Sequence, residues 1–295
     1  MLLSGEYAVL DGAKALCLPT KLGQKLSVKP SRGSDLIWVS QDTKGEKWFE
    51  AHISLYDFSA VKTNNEEIAK YIGKLLKNSV RLNSEFLDKW NGFKVITDLE
   101  FPLEWGLGSS SSLIYAVAAW ADINPFFLHF KMSEGSGYDI ACAGAEGPLH
   151  YMLKDDELSY AEIEYSPSFK DNLYFVYLEK KEDSAAAVRN YLKTGNNRKQ
   201  TAQEITNITD ELISCKTLDK FEGLITKHED IISKATGHTK VKDEKFSDYW
   251  GCMKSLGAWG GDFMLVTSQK SSTETREYFR SKGLETVIPY EDMVL

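Results

Sequence analysis

The segment Glu104–Leu113 is the feature that most limits what this chain can fold into, because two glycines and four serines stand directly before an apolar run. It reads Glu-Trp-Gly-Leu-Gly-Ser-Ser-Ser-Ser-Leu, and the run that follows, Leu113–Ala121, predicts a buried helix. Strand-type residues precede it at Phe93–Glu100. Glycine lets a backbone approach a ligand closely, and a helix N-terminus offers unpaired N–H groups with a partial positive charge. The segment therefore indicates an anion site of the kind that binds phosphate, or else a serine-capped loop without a ligand.

Three other segments form an ordered set with this one. Leu2–Gly12 contains Ser-Gly-Glu-Tyr, Gly135–Ala141 reads Gly-Ser-Gly-Tyr-Asp-Ile-Ala, and Gly257–Phe263 reads Gly-Ala-Trp-Gly-Gly-Asp-Phe. The set resembles the motifs of the GHMP kinases, the family of galactokinase, homoserine kinase, mevalonate kinase and phosphomevalonate kinase. The Gly-Ser-Gly-Tyr-Asp run is most similar to that of the mevalonate and phosphomevalonate kinases. Several motifs in one order are far more specific than any one of them.

Composition and charge are those of a globular enzyme. The chain has 295 residues, 42% hydrophobic and 26% charged, which is enough for two domains. Its formal net charge of -8 argues against a general nucleic-acid binder. The cysteines form no Cys-x-x-Cys pair, the histidines have no ligand spacing, and no apolar run could span a membrane. We expect no zinc site and no membrane insertion, and cytoplasmic location is the default because no signal peptide is visible.

Periodicity predicts interleaved helices and strands. An amphipathic helix is predicted over Asn64–Leu82, capped by Asn64 or Asn65, with Tyr71 among the residues of its apolar face. A mostly helical region follows from Ser184 to about Ala235, and a short helix is predicted over Glu274–Ser281. Strands are predicted at Leu36–Val39, Trp48–Ile53, Phe93–Ile96, Leu149–Leu153, Leu173–Leu178, Phe263–Thr267 and Thr286–Pro289.

Helices interleaved with separated strands favour an α+β fold. The resemblance implies a two-domain GHMP kinase fold. Residues 1–160 would form an N-terminal domain like the second domain of ribosomal protein S5, with the phosphate-binding loop, and residues 161–295 a ferredoxin-like C-terminal domain. The acidic stretch Lys154–Glu164 is expected to be an exposed hairpin or a connection between the domains.

Asp139 is the candidate catalytic carboxylate. Phosphoryl transfer needs charge neutralisation, in-line alignment and often a carboxylate near the attacking hydroxyl. Asp139 follows Gly135 and Gly137, whose flexibility could form a tight turn that projects it. The resemblance implies that it takes or orients the proton of the acceptor hydroxyl. The alternative is an aspartate that caps a helix over Ile140–Ala145.

The serines are the candidates for the metal and the nucleotide. The resemblance implies that Ser110 is a catalytic residue and the Mg²⁺ ligand, with Ser109 and Ser111 as rivals. Trp105 could stack near the nucleotide or lie in the core. The segment expected to hold ATP consists of Trp105, Gly106, Leu107, Gly108, Ser109, Ser110 and Ser111.

The acceptor is expected beside residues of three motifs, namely Glu6, Tyr7, Ser136, Gly137, Gly260, Gly261 and Asp262. Glu6 and Tyr7 stand where the family has a Glu-His pair, and they could equally form a polar turn between strands. Ala258 and Trp259 depart from the more glycine-rich family pattern, and the bulk of Trp259 would narrow the acceptor pocket.

Two departures weaken this mechanism. Many family members have a lysine six residues before the glutamate, a position that falls just before Met1. We therefore expect either a longer natural N-terminus that carries this lysine or a protein that lacks it. Mevalonate kinases also have a glutamate Mg²⁺ ligand eleven residues before the aspartate, where this chain has Leu128 with His129 beside it.

The motifs predict a kinase that uses ATP and Mg²⁺ to phosphorylate a hydroxyl or phosphate of a small molecule, with mevalonate or phosphomevalonate as the leading acceptors. A homodimer is an open expectation. Two alternatives remain at this point. One is diphosphomevalonate decarboxylase, which resembles this family and phosphorylates a hydroxyl first. The other is a nucleotide-binding pseudokinase with a regulatory role.

Overall fold

The structure, a computed structural model, describes residues 1–88, 91–155, 157–180, 184–194, 197–257, 259 and 261–295. Helices and strands interleave along these residues, so the predicted α+β fold is confirmed. The strands are β1 (Leu2–Ser4), β2 (Ala15–Cys17), β3 (Gln24–Pro30), β4 (Asp35–Gln41), β5 (Lys47–Ser54), β6 (Ala60–Thr63), β7 (Phe93–Leu99), β8 (Leu149–Lys154), β9 (Glu157–Glu162), β10 (Leu173–Tyr177), β11 (Met253–Ser255), β12 (Phe263–Thr267) and β13 (Val287–Pro289).

The α-helices are α1 (Glu66–Leu82), α2 (Ser109–Trp120), α3 (Pro125–Met132), α4 (Tyr138–Ala143), α5 (Ser184–Thr194), α6 (Arg198–Ile213), α7 (Leu218–Thr236), α8 (Val241–Lys245), α9 (Ser272–Ser281) and α10 (Tyr290–Met293). Among the described residues, no helix combines the length and the apolar character needed to cross a membrane.

The described chain forms two compact units. Unit 1 comprises Met1–Lys21, Glu104–Gly106 and Ala145–Leu295, and unit 2 comprises Leu22–Leu103 and Leu107–Gly144. These units differ from the predicted division at residue 160, because the chain begins in unit 1, passes through unit 2 and then returns to unit 1.

Unit 2 contains a five-stranded sheet in the order β3-β7-β4-β5-β6, in which β4 and β7 run parallel and the other neighbours antiparallel. The predicted amphipathic helix is confirmed as α1, which buries Ile72, Leu75 and Leu76. Asn65 is its cap, since its side chain accepts hydrogen bonds from the next N–H groups, at 3.1 Å from Glu67 and 3.2 Å from Ile68. Helix α1 packs against α2 and α3.

Unit 1 contains two four-stranded antiparallel sheets, in the orders β1-β2-β8-β9 and β11-β12-β10-β13. Strands β8 and β9 pair in antiparallel register, so the stretch Lys154–Glu164 contributes the second strand of a pair whose first strand is Leu149–Lys154, rather than a hairpin of its own. Apolar residues of β10 and β12 pack with Phe279 of α9 in a buried cluster. In this cluster Val176, Met264 and Val266 are fully buried. Helix α7 ends at Gly237, where a left-handed φ of +75° stops the helix.

Candidate functional site

The predicted phosphate-binding segment leads into α2, which begins at Ser109 rather than at Leu113. Gly108 takes the N-cap position with a left-handed φ of +79°, a conformation that glycine adopts without steric cost. Its carbonyl accepts hydrogen bonds from the N–H groups of Ser111 and Ser112, both at 3.0 Å. Beyond its chain neighbours, no described atom lies within 4 Å of the point where a Cβ would stand. A side chain at residue 108 would therefore meet no described atom, and the helix N-terminus beside it favours an anion.

Two of the serines in the first turn of α2 form side-chain hydrogen bonds to other residues of unit 2. The hydroxyl of Ser111 donates a hydrogen bond to Oδ2 of Asp139 in α4. The hydroxyl of Ser112 lies 3.0 Å from Oε1 of Gln24 and 3.2 Å from the carbonyl oxygen of Gly108. Ser112 is thus held by β3 and by the loop, whereas Ser111 joins the loop to the candidate catalytic carboxylate.

Ser110 is the exposed serine of this turn. Tyr71 of α1 lies near Ser110 and Asp139. Burial, with the negative charge of Asp139 adding to it, raises the pKa of Tyr71 to about 12, so the phenol keeps its proton near neutral pH. Ser110 is therefore accessible to a ligand.

Asp139 lies in the first turn of α4, half-buried. The N-cap of this helix is Gly137, with φ +84°, and the helix begins at Tyr138. The alternative reading of Asp139 as the cap of a helix over residues 140–145 is therefore wrong. Oδ1 of Asp139 accepts a hydrogen bond from the N–H of Ile140 at 3.1 Å, and Oδ2 accepts the bond from Ser111. Both carboxylate oxygens are thus oriented.

Glu6 belongs to a buried cluster in unit 1 with His228, Glu229 and Lys254, in which no residue is more than 2% exposed. Lys254 Nζ forms an ion pair with Oε1 of Glu6 and lies 3.9 Å from Oε1 of Glu229. His228 Nε2 lies 3.3 Å from Oε2 of Glu6 and accepts a hydrogen bond from the N–H of Gly5 at 3.1 Å.

Burial is the main cause of the shifted pKa values of Glu6, Glu229 and His228 in this cluster. Burial raises the pKa of Glu6 and raises that of Glu229 to about 8, although the ammonium of Lys254 opposes both shifts. Burial and Lys254 together lower the pKa of His228, so this imidazole is neutral. The carboxyl group of Glu6 is engaged inside unit 1, and its predicted role beside the acceptor stays a prediction.

The first and last motifs contact each other within unit 1. The backbone N–H of Trp259 donates a hydrogen bond to the hydroxyl of Tyr7 at 3.1 Å. Asp262 is buried, and a Cβ on Gly106 would stand 2.4 Å from its Cγ. Only glycine therefore allows this close approach between the last motif and the start of the phosphate-binding segment.

The remaining predicted residues are placed as follows. The ring of Trp105 packs in unit 1, with its centroid 5.4 Å from that of Phe263 and 6.3 Å from that of Tyr177. These contacts favour the core alternative for Trp105, and stacking on a nucleotide stays a prediction. Gly261 is buried, whereas Gly260 lies outside the described residues.

Some of the predicted site residues belong to unit 1 and the others belong to unit 2. Unit 2 contains Leu107, Gly108, Ser109, Ser110, Ser111, Ser136, Gly137 and Asp139, and unit 1 contains Glu6, Tyr7, Trp105, Gly106, Gly261 and Asp262. Sequence reasoning missed Lys254, which it did not consider. A lysine between strand-type residues, three positions before Gly257, was the available signal for Lys254.

Comparison with known proteins identifies similar chains. No family model matches the sequence. The chain is 23% identical over 297 residues to a mevalonate kinase of Methanocaldococcus jannaschii, covering 94% of this chain and 93% of the relative. Its structure is similar to that of the Methanococcus jannaschii mevalonate kinase, with a TM-score of 0.73, 21% identity and coverage of 97% and 94%. It is also similar to Streptococcus pneumoniae phosphomevalonate kinase in complex with phosphomevalonate and AMPPNP, with a TM-score of 0.71, 16% identity and coverage of 97% and 96%.

These relatives are GHMP kinases, and the similarity extends over nearly the whole length of each chain. The resemblance predicted from the motifs is therefore confirmed at the level of the fold. This chain has the fold of the GHMP kinases.

Proposed function

We propose that this protein is an ATP-dependent kinase that phosphorylates a hydroxyl or phosphate of a small molecule, with mevalonate or phosphomevalonate as the acceptor. The observation that carries the proposal is the hydrogen bond from Ser111, in the first turn of α2, to Asp139 in α4. The bond joins a carboxylate to a helix N-terminus that favours phosphate, and phosphoryl transfer uses both a group that orients the acceptor hydroxyl and groups that stabilise the phosphate charge.

The N-terminus of α2 is the proposed site for the ATP phosphates. The left-handed Gly108 precedes the first turn with no described atom near its Cβ position, and the exposed Ser110 adds a hydroxyl donor. The aligned peptide dipoles of a twelve-residue helix favour negative charge at this end. The chain would thus stabilise the charge of the phosphates with backbone groups and hydroxyls.

Asp139 is the proposed general base or orienting group. Its two oxygens are fixed by Ser111 and by the N–H of Ile140, and it remains half-buried rather than enclosed. In this state it can accept a hydrogen bond from an acceptor hydroxyl and take its proton as the phosphoryl group transfers. Its orientation by α2 would align the acceptor oxygen with the phosphate.

The residues present fit a Mg²⁺ ion that is shared with the nucleotide. Oxygen ligands suit Mg²⁺, which proteins commonly hold with one or two groups while substrate phosphates and water complete the shell. The exposed hydroxyl of Ser110 is the proposed ligand, and Asp139 is a neighbouring oxygen donor. Leu128 is fully buried and supplies no oxygen. No cluster of three or more His, Cys, Asp or Glu in the described part of the chain could hold a metal alone. A bound Mg²⁺ would neutralise charge on the phosphates.

The acceptor class is supported by the relatives, which are named mevalonate and phosphomevalonate kinases, one of them solved with phosphomevalonate and AMPPNP. At identities of 16–23% the fold is shared, and the choice between the two acceptors is open to experiment. The acceptor-side roles proposed from the motifs are those of Glu6, Tyr7, Ser136, Gly137, Gly261 and Asp262.

An acceptor panel tests the proposal. The purified protein is incubated with ATP and Mg²⁺ and with mevalonate, phosphomevalonate, diphosphomevalonate, galactose or homoserine, and ADP and products are measured by coupled assay and ³¹P NMR. One mole of ADP per mole of phosphorylated mevalonate or phosphomevalonate is the expected result. Release of CO₂ from diphosphomevalonate would replace the kinase with a decarboxylase. Nucleotide binding without turnover of any acceptor would replace it with a pseudokinase.

A further inference from the structure

His129 is a buried histidine of α3 that contacts the turn before the candidate catalytic carboxylate. Its side chain is 3% exposed, and its Nε2 lies 3.3 Å from the carbonyl oxygen of Gly135. Gly135 begins the motif that contains Asp139, in the first turn of α4. All three residues belong to unit 2. The histidine thus connects one helix to the turn from which the next helix starts.

The contact determines which nitrogen of the imidazole carries the proton. A carbonyl oxygen only accepts hydrogen bonds, so Nε2 of His129 is the donor. A neutral ring with its proton on Nε2 has an acceptor at Nδ1, and Nδ1 is buried with no hydrogen-bond partner among the described residues. An apolar side chain would fill this space without burying an unpaired nitrogen. The Nε2–H group therefore explains this histidine better than packing does.

The turn is held on both sides of Gly135. Its N–H donates a hydrogen bond to the hydroxyl oxygen of Ser133 at 3.1 Å, while its carbonyl accepts the bond from His129. A Cβ at residue 135 would stand 3.4 Å from Oγ of Ser133 and 3.7 Å from Nε2 of His129, so both side chains pack directly against this residue. Ser133 is the C-cap of α3, and its own N–H bonds to the backbone carbonyl of His129 at 2.8 Å. The end of α3 and the turn thus form one hydrogen-bonded assembly.

The composition of the turn makes such an anchor necessary. Gly135 and Gly137 have no side chains to restrict their backbone angles, and Gly137 is the N-cap of α4 with φ +84°. Helix α4 has six residues, which is too short for a helix to be stable without contacts from its surroundings. The direction in which Asp139 projects therefore depends on what holds the turn. A misplacement of about 1 Å at a reacting group can lower a rate about 100-fold.

We propose that His129 is a positioning residue, whose Nε2–H group holds the carbonyl of Gly135 and so fixes the turn that presents the Asp139 carboxylate to the acceptor hydroxyl. This inference rests on the proposed function, since Asp139 has an acceptor to orient only in that case. In the described part of the chain, the His129 side chain makes no hydrogen bond to Asp139 or to the serines of α2. It acts through the backbone of the turn, so its loss should lower kcat and leave nucleotide affinity unchanged.

The first test determines the tautomer and needs no activity. The protein is labelled with ¹⁵N in its histidines and studied by long-range ¹H–¹⁵N NMR, and the signals that disappear in His129→Gln are those of residue 129. Nε2 should carry the proton and Nδ1 should not. A proton on Nδ1 alone would overturn the inference, because Nε2 would then have no hydrogen to donate to a carbonyl.

The second test compares variants without the donor, His129→Leu and His129→Phe, with His129→Gln, which keeps an N–H group on a planar side chain. We expect the donor-free variants to lose about 10- to 100-fold in kcat, with KM for ATP and AMPPNP affinity unchanged within about twofold. Glutamine should restore most of kcat, because its amide can donate to the Gly135 carbonyl. His52→Leu is the control, since His52 lies in β5 of the same unit, and it should match the parent protein.

Melting curves and a double-substitution cycle separate positioning from packing. Ser133→Ala removes the other hydrogen bond to Gly135, so its effect on kcat and that of His129→Leu should be less than additive. A histidine that only packed would lower the melting temperature on replacement and leave kcat unchanged when it is measured well below melting. Normal kcat in the donor-free variants, or an equal loss in His129→Gln, would overturn the inference.

Failure of this inference and failure of the proposed function have different signatures. If the parent protein binds no nucleotide and phosphorylates no acceptor, the proposed function is wrong, and the tautomer of His129 remains measurable. If the parent protein phosphorylates an acceptor while His129→Leu and His129→Phe have the same kcat as the parent, only the role of His129 is wrong.

Discussion

Two hydrogen bonds fix the direction of the Asp139 carboxylate, and the reaction proposed for this protein depends on that carboxylate accepting a proton. Asp139→Asn keeps the size of the side chain and can keep the bond from Ser111, but an amide cannot act as a base. We expect kcat to fall about 10²- to 10⁴-fold with nucleotide affinity nearly unchanged. Steady-state kinetics and calorimetry provide the measurement, and Asp122→Asn, at an exposed position in the same unit, is the control. Near-normal turnover would remove Asp139 from the mechanism.

Glu229 is the residue whose ionisation should be visible in the stability of the protein. Its pKa in the folded state is raised to about 8 from an ordinary value of 4.5, chiefly by burial. Between these two values the unfolded chain releases the proton while the folded chain retains it. The free energy of unfolding should therefore fall as pH rises from about 4.5 to about 8, by at most about 1.4 kcal/mol per pH unit.

Glu229→Gln is the reference for this effect, because it removes the titrating group and keeps an oxygen for the N–H of Ser255, which lies 3.3 Å from Oε2. Urea unfolding of both proteins across this pH range gives a difference that should decline from low to high pH. A difference that is independent of pH would show that Glu229 ionises normally.

At the scale of elements, the left-handed backbone of Gly108 lies at the N-terminus of α2, where the phosphates of the nucleotide are proposed to bind. Gly108→Val should abolish nucleotide binding, because a branched side chain would occupy the open space and strain a left-handed residue. Gly45→Val is a matched control, since Gly45 also has a left-handed φ, +76°, with no described atom near its Cβ position. Both variants should lose about 1–2 kcal/mol of stability, and only Gly108→Val should lose ATP affinity in calorimetry. Unchanged ATP affinity would contradict the phosphate-loop assignment.

The elements that were predicted well are those with a strong pattern of their own. The apolar run of β4, the alternating burial along β5 and the apolar face of α1 are visible in the sequence because each pattern reflects which residues are buried. Strand β3 was missed, since Gln24–Pro30 is polar and mostly exposed. Helix α2 was predicted to begin too late because its first turn consists of serines, which favour caps and turns.

The candidate site was predicted as a set of residues but not as a set of contacts. The glycines, the serines and Asp139 were found from motif order. Which serine meets which neighbour depends on how α1 and α4 pack against α2, and spacing along one helix does not encode this. Lys254 escaped prediction for a similar reason, since a lysine is almost never fully buried and its partner lies far away in sequence.

At the scale of the whole chain, one ion pair joins distant parts of unit 1. Lys254→Met would leave the carboxylate of Glu6 buried without its cation, and removal of one partner of a buried pair costs about 3–5 kcal/mol. The double variant Glu6→Gln/Lys254→Met removes both charges of the pair and should lose less than the single variant. Lys282→Met is the control, because its pair with Asp248 is largely exposed and should contribute about 0–1 kcal/mol. Urea unfolding measures all three, and equal losses for the two lysines would contradict the importance of burial.

The distance along the chain between Glu6 and Lys254 also has a consequence for synthesis. The two residues are 248 positions apart, so a growing polypeptide exposes Glu6 long before its cation exists. Residues 22–144 contain all of unit 2, and they leave the ribosome before α7 and β11, which carry Glu229 and Lys254, are synthesised. Because domains tend to fold as units during translation, unit 2 can fold before the N-terminal segment has its partners in the rest of unit 1. Any chain that ends before residue 254 leaves this carboxylate without the ammonium that compensates its burial.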